Sequence, residues 1–170
     1  MPVQGGNAIN HGVAYAGMVA DGEVSNGVSK VNKGTVNIAY GLGVVSDGDD
    51  GAKLPVAAST AAQFIGVVKR ELNRAYTQAD VFGAVAKRDM TVETMASIWV
   101  TARVAVAKDD PVYLVVGDGT GTNQGQFSNV VGAAATLAVL IPNAKWVSTA
   151  GAGALVKISL KVGANRHDSA

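Results

Sequence analysis

The sequence predicts a mostly β protein: a compact antiparallel β-sandwich or barrel, jelly-roll-like or tulip-like, with an extended N-terminal arm. Three observations carry that prediction. Short apolar and β-branched runs recur about every 8–12 residues, the spacing of small all-β domains. Tight-turn dipeptides such as Asp21-Gly22 and Asn26-Gly27 separate them. Two runs, 98–106 and 155–161, alternate apolar and polar residues with the period of two that a half-buried strand requires.

Taken in order, residues 1–18 contain no Lys, Arg, Asp or Glu and are rich in Gly, Asn and Gln. Their scattered apolar residues cannot build a core, so this segment reads as an extended arm. The single β-domain is expected over 19–162. Residues 35–45 are small and apolar, and the acidic turn Asp47-Gly48-Asp49-Asp50-Gly51 closes them. Strands are expected at 63–68, 84–94 and 98–106, where Ile98, Val100, Ala102, Val104 and Val106 share one face. Pro111 is placed to open a strand over 112–116, where its missing N–H does little harm. A loop rich in Gly, Thr and Asn follows at 117–125. The run 130–141 is apolar on both faces, more than a one-sided surface strand needs. It is too short to span a bilayer, so it is expected as a buried strand pair or a subunit contact. The alternation resumes at 155–161, and 163–170 is a polar tail expected to be disordered. Helical turns are expected within 57–62, 72–80 and 133–140. The core is expected to draw on Phe64, Val67, Val100, Val104, Tyr113, Val115, Trp146, Val156 and Ile158.

Composition narrows the function. Hydrophobic residues make up 48% and charged residues 16%, against a usual charged share of about 25%. Such a chain has little charge with which to cover its surface, which points to a surface that meets a partner. Aromatics are 5% and glycines number 21, so the apolar content is mainly Ala and Val. The net charge of +1, with Lys69, Arg70 and Arg74 interrupted by Glu71, argues against nucleic-acid binding, which needs clustered cations. The absence of cysteine removes disulfides, thiolate metal sites and Cys nucleophiles. The N-terminus has neither a basic region nor a continuous apolar region of the secretory kind.

Candidate chemical sites are weak. His11 and His167 stand beside the termini in segments that promise no shell to orient an imidazole. The Asp47 turn departs from a calcium loop, with Gly51 at the fifth position and Ala58 at the twelfth. The Gly-rich loop at 117–125 has neither phosphate-binding fingerprint. No nucleophile elbow or paired carboxylates stand out, and Asp80, Asp89, Glu93, Asp109 and Asp110 fall at turns or on strand faces, where charges sit in water. Trp99 and Trp146 read as core plugs. Neither a catalytic residue, a metal ligand nor a cofactor is predicted.

Three segments in sequence order resemble the structural cement, or capsid decoration, proteins of tailed bacteriophages. Gln63-Phe64-Ile65-Gly66-Val67-Val68 is similar to their aromatic-aliphatic-Gly-aliphatic strand. Ile98-Trp99-Val100, Asp109-Asp110-Pro111-Val112-Tyr113 and Gly125-Gln126-Phe127 resemble their Trp-Val strand, acidic turn, Val-Tyr strand and Gly-x-Phe turn. Ile141-Pro142-Asn143-Ala144-Lys145-Trp146, with Ser148 to Gly153 and Leu155-Val156-Lys157-Ile158, is similar to their closing hairpin, and Gly17-Met18-Val19-Ala20-Asp21 to their start. Residues 72–82 and 130–140 look longer than the family's pattern.

The resemblance implies a virion protein made in the host cytoplasm that binds the outer surface of the head and stabilises the capsid lattice. Its implied partners are the major capsid protein and its own copies, as a homodimer or homotrimer; neither nucleic acid nor membrane is among them. It implies no catalysis and no cofactor. Val3, Ile9, Val13 and Tyr15 in the arm, with Leu137 and Leu140, are the candidate capsid or subunit contacts. The competing reading is a carbohydrate-binding β-module on a virion or cell surface, which needs Trp99 and Trp146 exposed in a groove. A small oligomeric β enzyme of the dUTPase type is a third, although none of its nucleotide motifs is present.

Overall fold

The computed structural model describes residues 14–20, 24–71, 82–119 and 122–162. Within them the chain is mostly β. The strands in order are β1 (Asn26–Asn32), β2 (Ile38–Ala39), β3 (Gly43–Ser46), β4 (Gly51–Lys53), β5 (Phe64–Val68), β6 (Gly83–Ala84), β7 (Asp89–Thr101), β8 (Pro111–Val115), β9 (Phe127–Ser128), β10 (Ala138–Trp146) and β11 (Leu155–Lys161). The two helical elements are single 3₁₀ turns, Ala61–Gln63 and Ala134–Thr136. The second falls inside 133–140 and the first overlaps the end of 57–62, two of the three segments where helical turns were expected; the third, 72–80, lies outside the described residues.

The main sheet runs β1-β4-β3-β5-β7-β11-β10-β8-β9, and β1 also pairs with β7. That extra pairing closes β1, β4, β3, β5 and β7 into a small barrel. The far half of β7 continues into β11, β10, β8 and β9, and Phe127 returns to bridge Ala102 in parallel. The fold is therefore barrel-like, and its pairings are antiparallel except for β1–β4 and that bridge.

β7 is the shared spine. Its 13 residues span about 40 Å at the usual rise of a strand, and both of its edges are occupied in series. On one edge Thr91 accepts a hydrogen bond from Lys69 N (2.9 Å), while Ser97 and Trp99 bond to residues 17–20. Along the other edge β1 pairs with 89–95 and β11 with 95–101, and Val162 N donates to Thr94 O at their junction (2.8 Å).

Two cores result. The larger gathers Ile98, Val100, Leu114, Phe127, Trp146 and Ile158; the smaller gathers Ile38, Val44, Val68, Met90 and Val92. β3 and β5 form the wall between them. Val45 and Phe64 face the larger core while Val44 and Ile65 face the smaller, and every residue of β5 is buried. A wall apolar on both sides is what a strand covered on both faces should read as.

Most expected core residues are buried, but Tyr113 and Val104 are only partly so. Tyr113 stands opposite Leu140 and Ser128 on the outer face. The expected strand at 98–106 ends at Thr101, because the chain leaves β7 to pair elsewhere: Arg103 N donates to Phe127 O and Val106 exchanges hydrogen bonds with Ala150. The expected strand at 84–94 is likewise interrupted, by a turn in which Lys87 has φ +61°.

Candidate functional site

The described end of the arm is fixed to the body. Gly17 N donates to Trp99 O (2.7 Å), Trp99 N to Met18 O (2.9 Å) and Ala20 N to Ser97 O (2.7 Å), so residues 17–20 add a short antiparallel strand to β7. Arg70 N also donates to Gly17 O (2.8 Å). A Cβ at Gly17 would lie 2.8 Å from Val68 O and 2.9 Å from Gly41 N, with φ at +80°, so only glycine fits this crossing. Tyr15 stays 43% exposed, with the Arg70 guanidinium 4.1 Å above its ring and 5.0 Å from that of Phe82. This cation–π stack orients Tyr15 at the surface. Val3, Ile9 and Val13 lie outside the described residues.

A second feature lies between β9 and β10. No Lys, Arg, Asp or Glu occurs between Asp118 and Lys145. Within that span Val130 and Val131 are each 50% exposed, Leu140 is 48% and Leu137 is 37%. The segment is nevertheless tightly folded. Ala138 N donates to Val131 O, Thr136 N to Ala133 O and Leu137 N to Ala134 O, while Val116 N and Gly117 N both reach Leu137 O. These hydrogen bonds pin the loop to itself and to the end of β8, and large aliphatic side chains project from it. The expectation for 130–141 changes accordingly. Ala138 and Ile141 are core, and the run is a compact loop entering β10 rather than a buried strand pair.

Asp110 holds the base of this loop. Its Oδ2 accepts from Ala107 N (2.9 Å) and from Asn129 Nδ2 (2.7 Å). The Ala107 amide, and then the Asn129 amide, hold its carboxyl below the usual carboxylate range. A carboxylate depressed on folding stabilises the native state above its unfolded pKa of about 3.9, and that contribution disappears as pH falls through the folded value. The gap in thermal midpoint between the wild type and Asp110→Asn is therefore expected to be widest near neutral pH and to close below about pH 4. A gap independent of pH in calorimetry would count against this role.

Elsewhere the polar groups look structural. The Asp47 turn is a surface hairpin end in which Lys53 Nζ bonds Asp47 Oδ1 at 2.9 Å. Glu93 contradicts the expectation of a solvated acid. It is fully buried, with Lys69 Nζ 2.7 Å from Oε1 and no hydrogen-bond donor at Oε2. Gly27 stands across from it on β1, where a Cβ would come within 3.2 Å of the carboxylate, so the missing side chain makes its room. Trp146 is fully buried and donates Nε1 to Pro111 O (3.1 Å). Trp99 is not a core plug: it is half-buried on the outer face, with Lys157 Nζ 5.5 Å from its ring centroid. His11 and His167 lie outside the described residues, and no three His, Cys, Asp or Glu gather into a metal-binding group among those described.

The described residues form a closed β body that presents an uncharged aliphatic loop and an anchored N-terminal segment. The family model for structural cement proteins (E217 gp24/Pam3 gp6) matches residues 3–161. The chain belongs to that family, whose members are structural proteins of the virion, on the capsid. A chain in the capsid of Myoviridae phage XM1 has the same fold, with a TM-score of 0.70 at 17% identity over 96% of this chain and 99% of that one. A chain of the head fibre gp8.5 N base of bacteriophage phi29 matches over 81% of this chain and 94% of that one at 18% identity, but its TM-score of 0.38 is too low to carry an argument. No curated protein matches.

Of the six residues predicted as contacts, the structure places Tyr15, Leu137 and Leu140 at the surface. Val130 and Val131 were not named among them. The charge-free interval from 119 to 144 was the sequence signal that could have singled them out.

Proposed function

We propose that this protein binds the outer surface of the phage head and stabilises the capsid lattice, acting without catalysis as a homodimer or homotrimer. The observation that carries the proposal is the cluster of exposed aliphatic side chains on a charge-free, internally hydrogen-bonded loop. Exposed apolar patches of this kind mark interaction surfaces, and a rigid frame lowers the entropy lost on docking. A standard interface removes about 1,600 Å² from water, and repetition over a lattice multiplies a modest affinity. The carbohydrate-binding alternative required two exposed tryptophans, and Trp146 is fully buried.

The arm supplies a second contact in this proposal. Without charge or a continuous apolar stripe, residues 1–13 gain most by pairing their backbone with an exposed edge on a neighbour. Deleting residues 2–13 stops short of Ala14, which is buried. The truncated protein is expected to keep its unfolding midpoint while its occupancy on purified heads stripped of the native protein falls about tenfold, or ~1.4 kcal/mol. Equal occupancy for truncated and intact protein would remove the arm from the interface. A full-length protein that fails to bind such heads would overturn the proposal itself.

A further inference from the structure

A separate basic pocket of about 390 Å³ opens where the turn before β8 meets β10 and β11, and Lys108, Lys145 and Lys161 all line it. All three lysines are exposed. None has a carboxylate partner among the described residues, where the ion pairs are Lys53–Asp47 and Lys69–Glu93. The frame around them is firmly built. Lys145 stands opposite Ser159 in the β10–β11 register, Asp109 N donates to Trp146 O (2.8 Å), and Val147 N donates to Lys157 O (2.9 Å). Asn143, with φ +59°, lies within the irregular stretch of β10 between Leu140 and Lys145 and turns into the same pocket.

We propose that this pocket receives acidic side chains of the capsid shell protein, as a charge-guided contact separate from the aliphatic loop. The inference rests on the function proposed above. Three lysines lining one pocket give it a positive potential, which attracts a partner carboxylate. The side chains of Asn143 and Ser159 add hydrogen-bonding groups that can orient a carboxylate. The pocket suits discrete carboxylates better than a nucleic acid. Asp109 also lines it and repels any anion, but a single carboxylate less than a continuous chain of phosphates. Lys157, the next lysine on the same face of β11, already covers Trp99, the aromatic on which a base would otherwise stack. With three lysines, counterion release is too small to hold a polyanion tightly at physiological salt.

The test compares the wild type with Lys145→Glu/Lys161→Glu, the milder Lys145→Gln/Lys161→Gln, and a control with matched net charge elsewhere, Lys33→Glu/Lys87→Glu. Binding is measured to stripped heads, to poly-L-glutamate and to duplex DNA. The charge reversal is expected to weaken binding to heads at least tenfold at about 50 mM salt, with the neutral variant intermediate. The difference should shrink below about threefold near 0.5 M salt, where charges are screened within about 4 Å. Poly-L-glutamate should bind the wild type and the control but not the reversal. Equal affinities and salt slopes for all proteins on heads would overturn the inference, as would a loss confined to DNA binding. If the wild type itself ignores heads yet discriminates poly-L-glutamate, the proposed function fails while the pocket's preference for carboxylates stands.

Discussion

Gly66→Ala is expected to lower the thermal unfolding midpoint by about 6–12 °C. Gly66 lies in the middle of β5 at φ +148°, a conformation side chains rarely adopt, and its Cβ would sit 2.1 Å from Glu93 O on β7. The obstruction is backbone, so no rotamer change relieves it. Strain of this kind costs about 1–3 kcal/mol, and overpacking adds about 1–3 kcal/mol. A total near 3 kcal/mol corresponds to that shift at about 2–4 °C per kcal/mol for a chain of this size. Gly151→Ala is the control, since nothing lies within 4 Å of its Cβ and its stability should stay within about 0.5 kcal/mol of the parent. Calorimetry giving the two variants the same midpoint would refute the account.

Leu137→Asp/Leu140→Asp is expected to fold like the parent but to lose at least tenfold in head occupancy. Both side chains are exposed, at 37% and 48%, so the folded monomer places the new carboxylates in water at little cost. At an apolar contact, however, each charge must lose its water without gaining a partner, a penalty of several kcal/mol. Occupancy on stripped heads, read beside the circular dichroism of the free variant, separates the two effects. Parental occupancy would show that the aliphatic loop faces solvent in the assembled particle.

These two positions also show how far the sequence was legible. The period-two runs around Ile98 and Ile158 placed the last four residues of β7 and all of β11, which are buried on one face where alternation is unambiguous. The whole of β7, however, was read as parts of two separate strands, 84–94 and 98–106. β3 and β5 were harder. Each is buried on both faces, and at Gly66 the register slips, so that Val44 pairs with Gly66 but Val45 with Phe64. The slip leaves Ile65 unpaired and puts Phe64 and Val67 in one core, an effect of bulges that periodicity cannot register. The division into two cores was therefore hidden. Glu93 was misread for a related reason: its burial depends on Gly27, 66 positions away in the chain and known to be opposite only once β1 and β7 pair. The apolar loop was legible as hydrophobic but not as exposed, because exposure is a property of neighbours. The three pocket lysines come from three elements, and no local pattern joins them.

The serial occupation of β7 also fixes the order in which the chain can be completed. Residues 17–20 are among the first of the described segments to be synthesised, yet their partners, Ser97 and Trp99, follow about 80 residues later. On the opposite edge, β1 waits for 89–95 and β11 cannot dock until residue 161 exists. Every one of these closures spends loop entropy before any contact rewards it. Folding is thus expected to be slow for the chain's length, with residues 17–20 unpaired until β7 has formed. Residues 17–20 can therefore pair as soon as Trp99 is available, and β11 closes the opposite edge last.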